Sequence, residues 1–171
     1  NRTRLIMWVI IKFDKKKLSS LKNDFFKNLG TKPIFYSPKL KIQKYSKNKL
    51  NDKETFLLGD YLLCFHSSFC NHNIIEILKY CKGVKYFLSG FSKSQIEIEK
   101  FVNKCKINED EQGYIKQSFF EFKGKKRFKF LSGPFTNKIF SIINENQFKI
   151  KASIGNLNTI VSKEDYLYNP I

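Results

Sequence analysis

The 171-residue chain has no apolar run long enough to cross a bilayer. The longest, Leu5-Ile6-Met7-Trp8-Val9-Ile10-Ile11, falls far short of the roughly 20 residues a spanning helix needs. No small-residue cleavage site follows this short run, which argues against a secretory signal and makes the cytoplasm the expected location. Histidine is nearly absent, at two residues. There is no Gly-x-Ser-x-Gly, no Gly-rich phosphate loop and no His-Glu-x-x-His, so the usual nucleophilic, phosphoryl-transfer and zinc-peptidase signatures are missing. Ser67 and Ser68 stand beside His66, but neighbours on a strand point to opposite faces, a poor arrangement for a nucleophile and its base. The chain therefore reads as a non-enzyme without a cofactor. Four cysteines in a chain of this size do not make a disulfide framework, and a reducing compartment is expected. Cys64, His66, Cys70, His72 and Cys81 form a C-x-H-x3-C-x-H run that matches no common zinc spacing; buried thiols and surface histidines are the expected reading.

Acidic residues are also scarce, 15 against 32 Lys+Arg, for a net charge of +17. Residues 1–50 hold 14 basic and 2 acidic groups, net +12. Such a basic segment points to phosphate backbones or an acidic partner, with solubility and an AT-rich codon bias toward Lys, Asn, Ile and Phe as the alternative. Aromatics are plentiful: 18 Phe, 8 Tyr and one Trp, too many for a solvated, disordered chain.

Hydrophobic periodicity divides the chain. Residues 5–11 read as a buried strand. Leu18, Leu21, Phe25, Phe26 and Leu29 form a helical stripe that Gly30 ends. Ile34-Phe35-Tyr36 is a short strand, and Leu40 and Ile42 alternate with Lys39, Lys41 and Gln43. Residues 46–54 read as a polar loop or hairpin tip. Tyr61–Phe65 is the strongest strand. A second helix carries Ile74, Ile75, Leu78 and Cys81; Val84–Leu88 is a strand; Ser94 and Glu97 fit a capping box before a third helix with Ile98, Phe101, Val102 and Cys105. Residues 107–118 read as a linker. Beyond it the period becomes two: Phe128 and Phe130 alternate with Arg127 and Lys129, and Phe148, Ile150 and Ala152 with Lys149 and Lys151. Turn signals recur at Lys123-Gly124, Ser132-Gly133-Pro134, Asn144-Glu145-Asn146 and Gly155-Asn156, the mark of a small β-barrel. The expected class is α+β: an N-terminal α/β sandwich with an antiparallel sheet over 1–106, then a small SH3-like β-barrel over 119–171.

The run from Gly124 through Arg127-Phe128-Lys129-Phe130 to Gly133-Pro134-Phe135, followed by Lys149-x-Lys151-Ala152, resembles the KOW domain of the NusG family of transcription elongation factors. Trp8-Val9-Ile10, Leu57-Leu58-Gly59-Asp60-Tyr61-Leu62-Leu63 and Lys82-Gly83-Val84 with Phe87 resemble that family's N-terminal (NGN) domain. Gly59-Asp60 replaces the family's Pro-Gly before the tyrosine, which favours a specialised paralogue of the RfaH kind. The resemblance implies a monomeric factor that binds the clamp helices of RNA polymerase and suppresses pausing or termination. It places Tyr61, Leu63 and Phe87 at the apolar polymerase-binding depression, and His72 and Asn73 near a polar element facing the opposite lobe. Lys12, Lys15, Lys16, Lys17, Lys39, Lys41 and Lys44 become candidates for DNA or RNA backbone contacts. Phe135, Ile139 and Phe140 become candidates for the barrel's partner, Rho or a small-subunit ribosomal protein. A ribosome-associated or RNA-binding module is the competing reading.

Overall fold

The computed structural model describes residues 7–120 and 126–171. The expectations resting on Leu5, Ile6, Lys123 and Gly124 lie outside the described residues. Among the described residues three α-helices and several antiparallel sheets make the chain α+β, as expected. It divides into two compact units that are not contiguous in sequence: residues 1–38 with 56–103, and residues 39–55 with 104–171.

The first unit is built on β1 (Trp8–Phe13), β2 (Ile34–Tyr36), β5 (Tyr61–Phe65) and β6 (Val84–Phe87), in the order β2-β5-β1-β6. All pairs are antiparallel, with Ile10 opposite Leu63 and Ile11 opposite Leu62 on β1 and β5. Alternation gives this sheet two buried faces. Val9, Ile11, Phe13, Leu62 and Cys64 meet Leu21 and Phe25 of α1 (Leu18–Leu29) and Ile75 and Leu78 of α2 (His72–Leu78). On the opposite face Trp8, Ile10 and Leu63 meet Ile98, Phe101 and Val102 of α3 (Gln95–Ile107). The stripe read for α1 is right, and Gly30 ends the helix at φ +72°, donating its N–H to the Phe26 carbonyl. Cβ strain excludes most residues from that left-handed position.

In the second unit, β7 (Arg127–Phe130), β8 (Ile139–Glu145), β9 (Lys149–Ile154), β10 (Leu157–Ser162) and β11 (Tyr168–Pro170) pair in the order β10-β9-β8-β7-β11. Val161 of β10 and Tyr168 of β11, from the two ends of that order, share one core with Phe128, Phe130, Phe140, Ile150 and Ala152. A flat sheet of five strands would hold its end strands about 19 Å apart, so the sheet must roll for them to meet. The rings are stacked tightly, with Phe130 and Phe140 centroids 4.1 Å apart.

Three parts differ from the sequence expectation. The polar stretch 46–54 does hold a hairpin tip, at Lys47 and Asn48, both at positive φ, but most of it is strand rather than loop: it joins β3 (Lys39–Ser46) to β4 (Lys49–Phe56). Hairpin residues 39–55 group with the second unit, where the Gln43 N–H reaches the Leu131 carbonyl at 2.7 Å and the Gln43 side chain accepts from the Gly133 N–H at 2.6 Å. Residues 107–118 are packed rather than a free tether: Ile115 and Gln117 are buried, and Tyr168 donates its N–H to Gln117 Oε1. Phe148, grouped by its alternation with Ile150 and Ala152, is 60% exposed because it falls in the turn before β9 begins.

Candidate docking surface

The helix-packed faces of the first sheet are not covered equally. On the α3 side, Ile10, Leu58, Tyr61, Leu63, Leu88, Glu97, Ile98 and Phe101 line an open depression of about 400 Å³. It is apolar because side chains of one strand face recur at every second residue: Ile10 of β1 stands opposite Leu63 of β5, and the α3 stripe supplies Ile98 and Phe101. Leu88, just past β6, donates its N–H to the Ile10 carbonyl, which brings its side chain to the rim.

A polar cluster borders the depression. Tyr61 and Tyr86 hydroxyls are 2.9 Å apart, and the Lys12 ammonium lies 4.9 Å from the Tyr61 ring centre and 3.5 Å from Asp60. Lys85 is 3.8 Å from the same carboxylate. Desolvation alone would raise the Asp60 pKa, but Lys12, the backbone hydrogen bond and Lys85 outweigh it and hold it below the usual carboxylate range. Desolvation likewise opposes the charged form of Lys12, yet Asp60, Tyr61 and Tyr86 carry its pKa upward. The Tyr86 hydroxyl is pushed up first by its hydrogen bond with Tyr61 and then by desolvation.

Of the three residues expected at the depression, Tyr61 and Leu63 line it. Phe87 does not: it pairs with Ile11 on the α1 side and stacks on Phe25 with centroids 6.4 Å apart. The pairing of Phe87 with Ile11 and the one-residue parity of a strand put Leu88, beside Ile10, at the depression instead. Ile10, Leu58 and Phe101, which the sequence places in a strand, a motif and a helical stripe without assigning them to a binding surface, line the depression as well. Trp8 packs beside this face, its ring 5.0 Å from Phe65.

His72 and Asn73 are exposed at the start of α2, and His72 Nε2 lies 3.2 Å from Glu76. His66 is buried and committed: its Nδ1 accepts from the Ser68 N–H, so Nε2 carries the proton and faces Thr31 Oγ1 at 2.6 Å. Cys64 is fully buried, with its thiol pKa raised by burial, whereas Cys70 is exposed. Among the described residues no three His, Cys, Asp or Glu side chains are placed to hold a metal ion.

The seven candidate lysines fall on both units. Lys12, Lys15, Lys16 and Lys17 belong to the first, the last three exposed on a short 3-10 turn that Asp14 caps. Lys39, Lys41 and Lys44 belong to the second, on β3. There Lys39 pairs with Glu54 and Lys41 with Asp52, both at 3.2 Å across the hairpin. The Asp52 carboxyl is held low first by the Gln43 amide and then by Lys41. Of the barrel candidates, Ile139 is 43% exposed and Phe135 is half-buried against Phe130. Phe140 is core, 1% exposed beneath Phe130 and Tyr168, because β8 alternates and Ile139 takes the outward position.

Among the described residues no helix is long and apolar enough to cross a membrane. No family model matches the chain, and no curated protein matches it. Solved structures that are similar over nearly the whole length include these two. One is a crystal structure of an MjSpt4:Spt5 complex, at 10% identity over 96% of this chain and 98% of that one, with a TM-score of 0.29. The other is a Thermotoga maritima NusG structure concerned with domain interaction, at 17% identity over 96% and 97%, with a TM-score of 0.31. The α+β class of this chain stands on its own helices and strand pairings.

Proposed function

We propose that the chain is a transcription elongation factor of the NusG kind, a cytoplasmic monomer that docks on RNA polymerase through the α3-side depression. The observation that carries this reading is the depression itself, an open apolar surface containing Tyr61 and Leu63, two residues that the family resemblance assigns to clamp-helix binding. An aromatic and aliphatic floor with a hydrogen-bonded polar border suits an amphipathic helical partner, whose apolar side chains would enter while its polar flanks meet the Tyr61–Tyr86–Lys12–Asp60 cluster. Docking of this kind biases a processive polymerase conformation through differential affinity alone and needs no catalytic group. Lys12 and Lys15–Lys17 then supply salt-dependent backbone contacts to upstream or non-template DNA. The departure at Gly59-Asp60 supports a specialised, RfaH-like antiterminator over a general factor. Ile139 and Phe135 are the barrel positions left for Rho or a ribosomal partner.

The test is binding to RNA polymerase and run-off transcription through a pause site. Leu88→Lys charges the depression from a position that is 36% exposed and leaves the core intact. It and Tyr61→Ala should each weaken polymerase binding by about tenfold or more, as truncated interface anchors do. Tight binding unaffected by both variants would refute the docking site, and ribosomal RNA binding without polymerase binding would replace the reading with an RNA-binding module.

A further inference from the structure

The second unit carries a groove of about 560 Å³, walled by the β3–β4 hairpin, residues 110–117 and the loops before β8 and β11. Its charge runs against that of the chain. Lys41 and Lys116 line it, but so do Asp52, Asp110, Glu164 and Asp165, for a net of −2 (two bases against four acids). Lys41 is already taken by Asp52. Asp110, Glu164 and Asp165 make no ion pair among the described residues, although bases outnumber acids two to one in the sequence. Asp110 Oδ1 accepts the N–H groups of Gln112 and Tyr114, which holds the carboxylate in place and leaves its charge uncompensated.

A second observation is independent of the acids. Gln117 lines the same groove and is 5% exposed, and its Nε2 has no hydrogen-bond partner. Its Oε1 is occupied by the Tyr168 N–H at 2.8 Å, so the amide orientation is set and the NH₂ group is left seeking an acceptor. The groove thus asks for two things at once: positive charge for the three free carboxylates, and a hydrogen-bond acceptor for Gln117. Tyr114 and Tyr166 add aromatic walls on which a guanidinium can stack.

We infer that this groove is a binding site for a basic peptide segment. Arginine or lysine side chains meet Asp110, Glu164 and Asp165, and a main-chain carbonyl accepts from Gln117 Nε2. A bare cation satisfies only the first requirement, and an anion or nucleic acid is repelled. The site does not depend on polymerase docking by the first unit.

The probe is an acetylated (Gly-Arg)₄ peptide titrated into the full chain, followed by calorimetry and by the side-chain amide signals in ¹⁵N-correlated NMR spectra. Binding should shift the Gln117 side-chain amide, and a (Gly-Glu)₄ peptide should not bind. Asp110→Asn keeps an oxygen for both backbone N–H groups while removing the charge. Combined with Glu164→Gln and Asp165→Asn, it should weaken binding by about tenfold or more, as expected where charge-assisted bonds are lost. Asp24→Asn, Glu76→Gln and Glu99→Gln, on the three helices of the first unit, are the matched control and should leave affinity unchanged. Equal losses in the two sets, a Gln117 amide that does not move, or an Mg²⁺ titration reproducing the same shifts would each overturn the proposal.

Discussion

Gln95 is the residue whose loss should be felt furthest from its place in the sequence. Its Oε1 accepts the N–H groups of Met7 (3.1 Å) and Trp8 (2.9 Å), and its Nε2 donates to the carbonyls of Trp8 and Phe91, both at 2.8 Å. The amide thus stands in for a strand partner on the stretch of β1 that β6 does not reach, since β6 pairs only with Ile11–Phe13. It also pins the first turn of α3, which supplies Ile98 and Phe101 to the docking depression. Gln95→Leu keeps the volume and removes all four bonds. At about 1 kcal/mol net per bond, with two donors sharing one oxygen, the cost is about 3 kcal/mol. For a unit of this size that corresponds to a fall in its melting temperature of roughly 12–24 °C. The chain's single tryptophan, Trp8, sits at the site, so its fluorescence reports unfolding of the first unit selectively. Gln95→Glu sharpens the test, because a carboxylate there accepts from Met7 and Trp8 but opposes the two carbonyls, and protonation restores a donor. That variant should recover part of its lost stability between pH 7 and pH 4. A Leu variant melting within a few degrees of the parent would show that water replaces the amide and that α3 is held by apolar packing alone.

Four further outcomes follow from the geometry. Asp52, Asp60 and Glu76 have pKa values lowered on folding, so their stabilisation is present above the unfolded carboxylate pKa and lost as pH falls through the lower folded values; Asp60→Asn should flatten the acid limb of a melting-temperature profile. The raised Lys12 pKa acts at the other end, where stabilisation present below its unfolded value is lost as pH rises through the folded one. Gly133 has φ +82° and its missing Cβ would collide with the Tyr166 ring, so Gly133→Ala should destabilise the second unit, and adding Tyr166→Ala should recover the steric part but not the backbone strain of about 1 kcal/mol or more, measured by a double-mutant cycle in urea. Native thiol titration with a disulfide reagent should label exposed Cys70 first and leave Cys64 and Cys105 unreacted until unfolding; rapid labelling of all four would contradict the burial of the β5 and α3 cysteines.

Much of this architecture is written in local patterns. The Leu18–Leu29 stripe, the Gly30 stop, the Tyr61–Phe65 strand and the alternating Phe128 and Phe130 are properties of single segments, in which each apolar residue records its own burial. The change of period from 3.6 to 2 near residue 119 announced two kinds of packing.

What failed in the sequence failed where a residue's environment depends on a distant partner. β4 (Lys49–Phe56) carries Lys, Asn, Asp and Glu and resembles a loop; only opposite β3 do Asp52 and Glu54 find Lys41 and Lys39. Residues 107–118 look like a polar tether because two buried side chains, Ile115 and Gln117, are too few to form a pattern. Phe87 and Leu88 are equally apolar, and their alignment with Ile11 and Ile10 of β1 decides which of them faces α1 and which faces the depression. The sequence by itself determined the α+β class, the helices and strands with strong periods, and a net charge of +17 with +12 in the first fifty residues. Tertiary structure alone decided how that charge is shared: Lys39, Lys41, Lys44, Lys47 and Lys49 belong with the second unit, where Gln43 donates its N–H to the Leu131 carbonyl and accepts from the Gly133 N–H, about 90 residues away. Periodicity records that a side chain is buried; the partner that buries it is set by long-range pairing, which no local window contains.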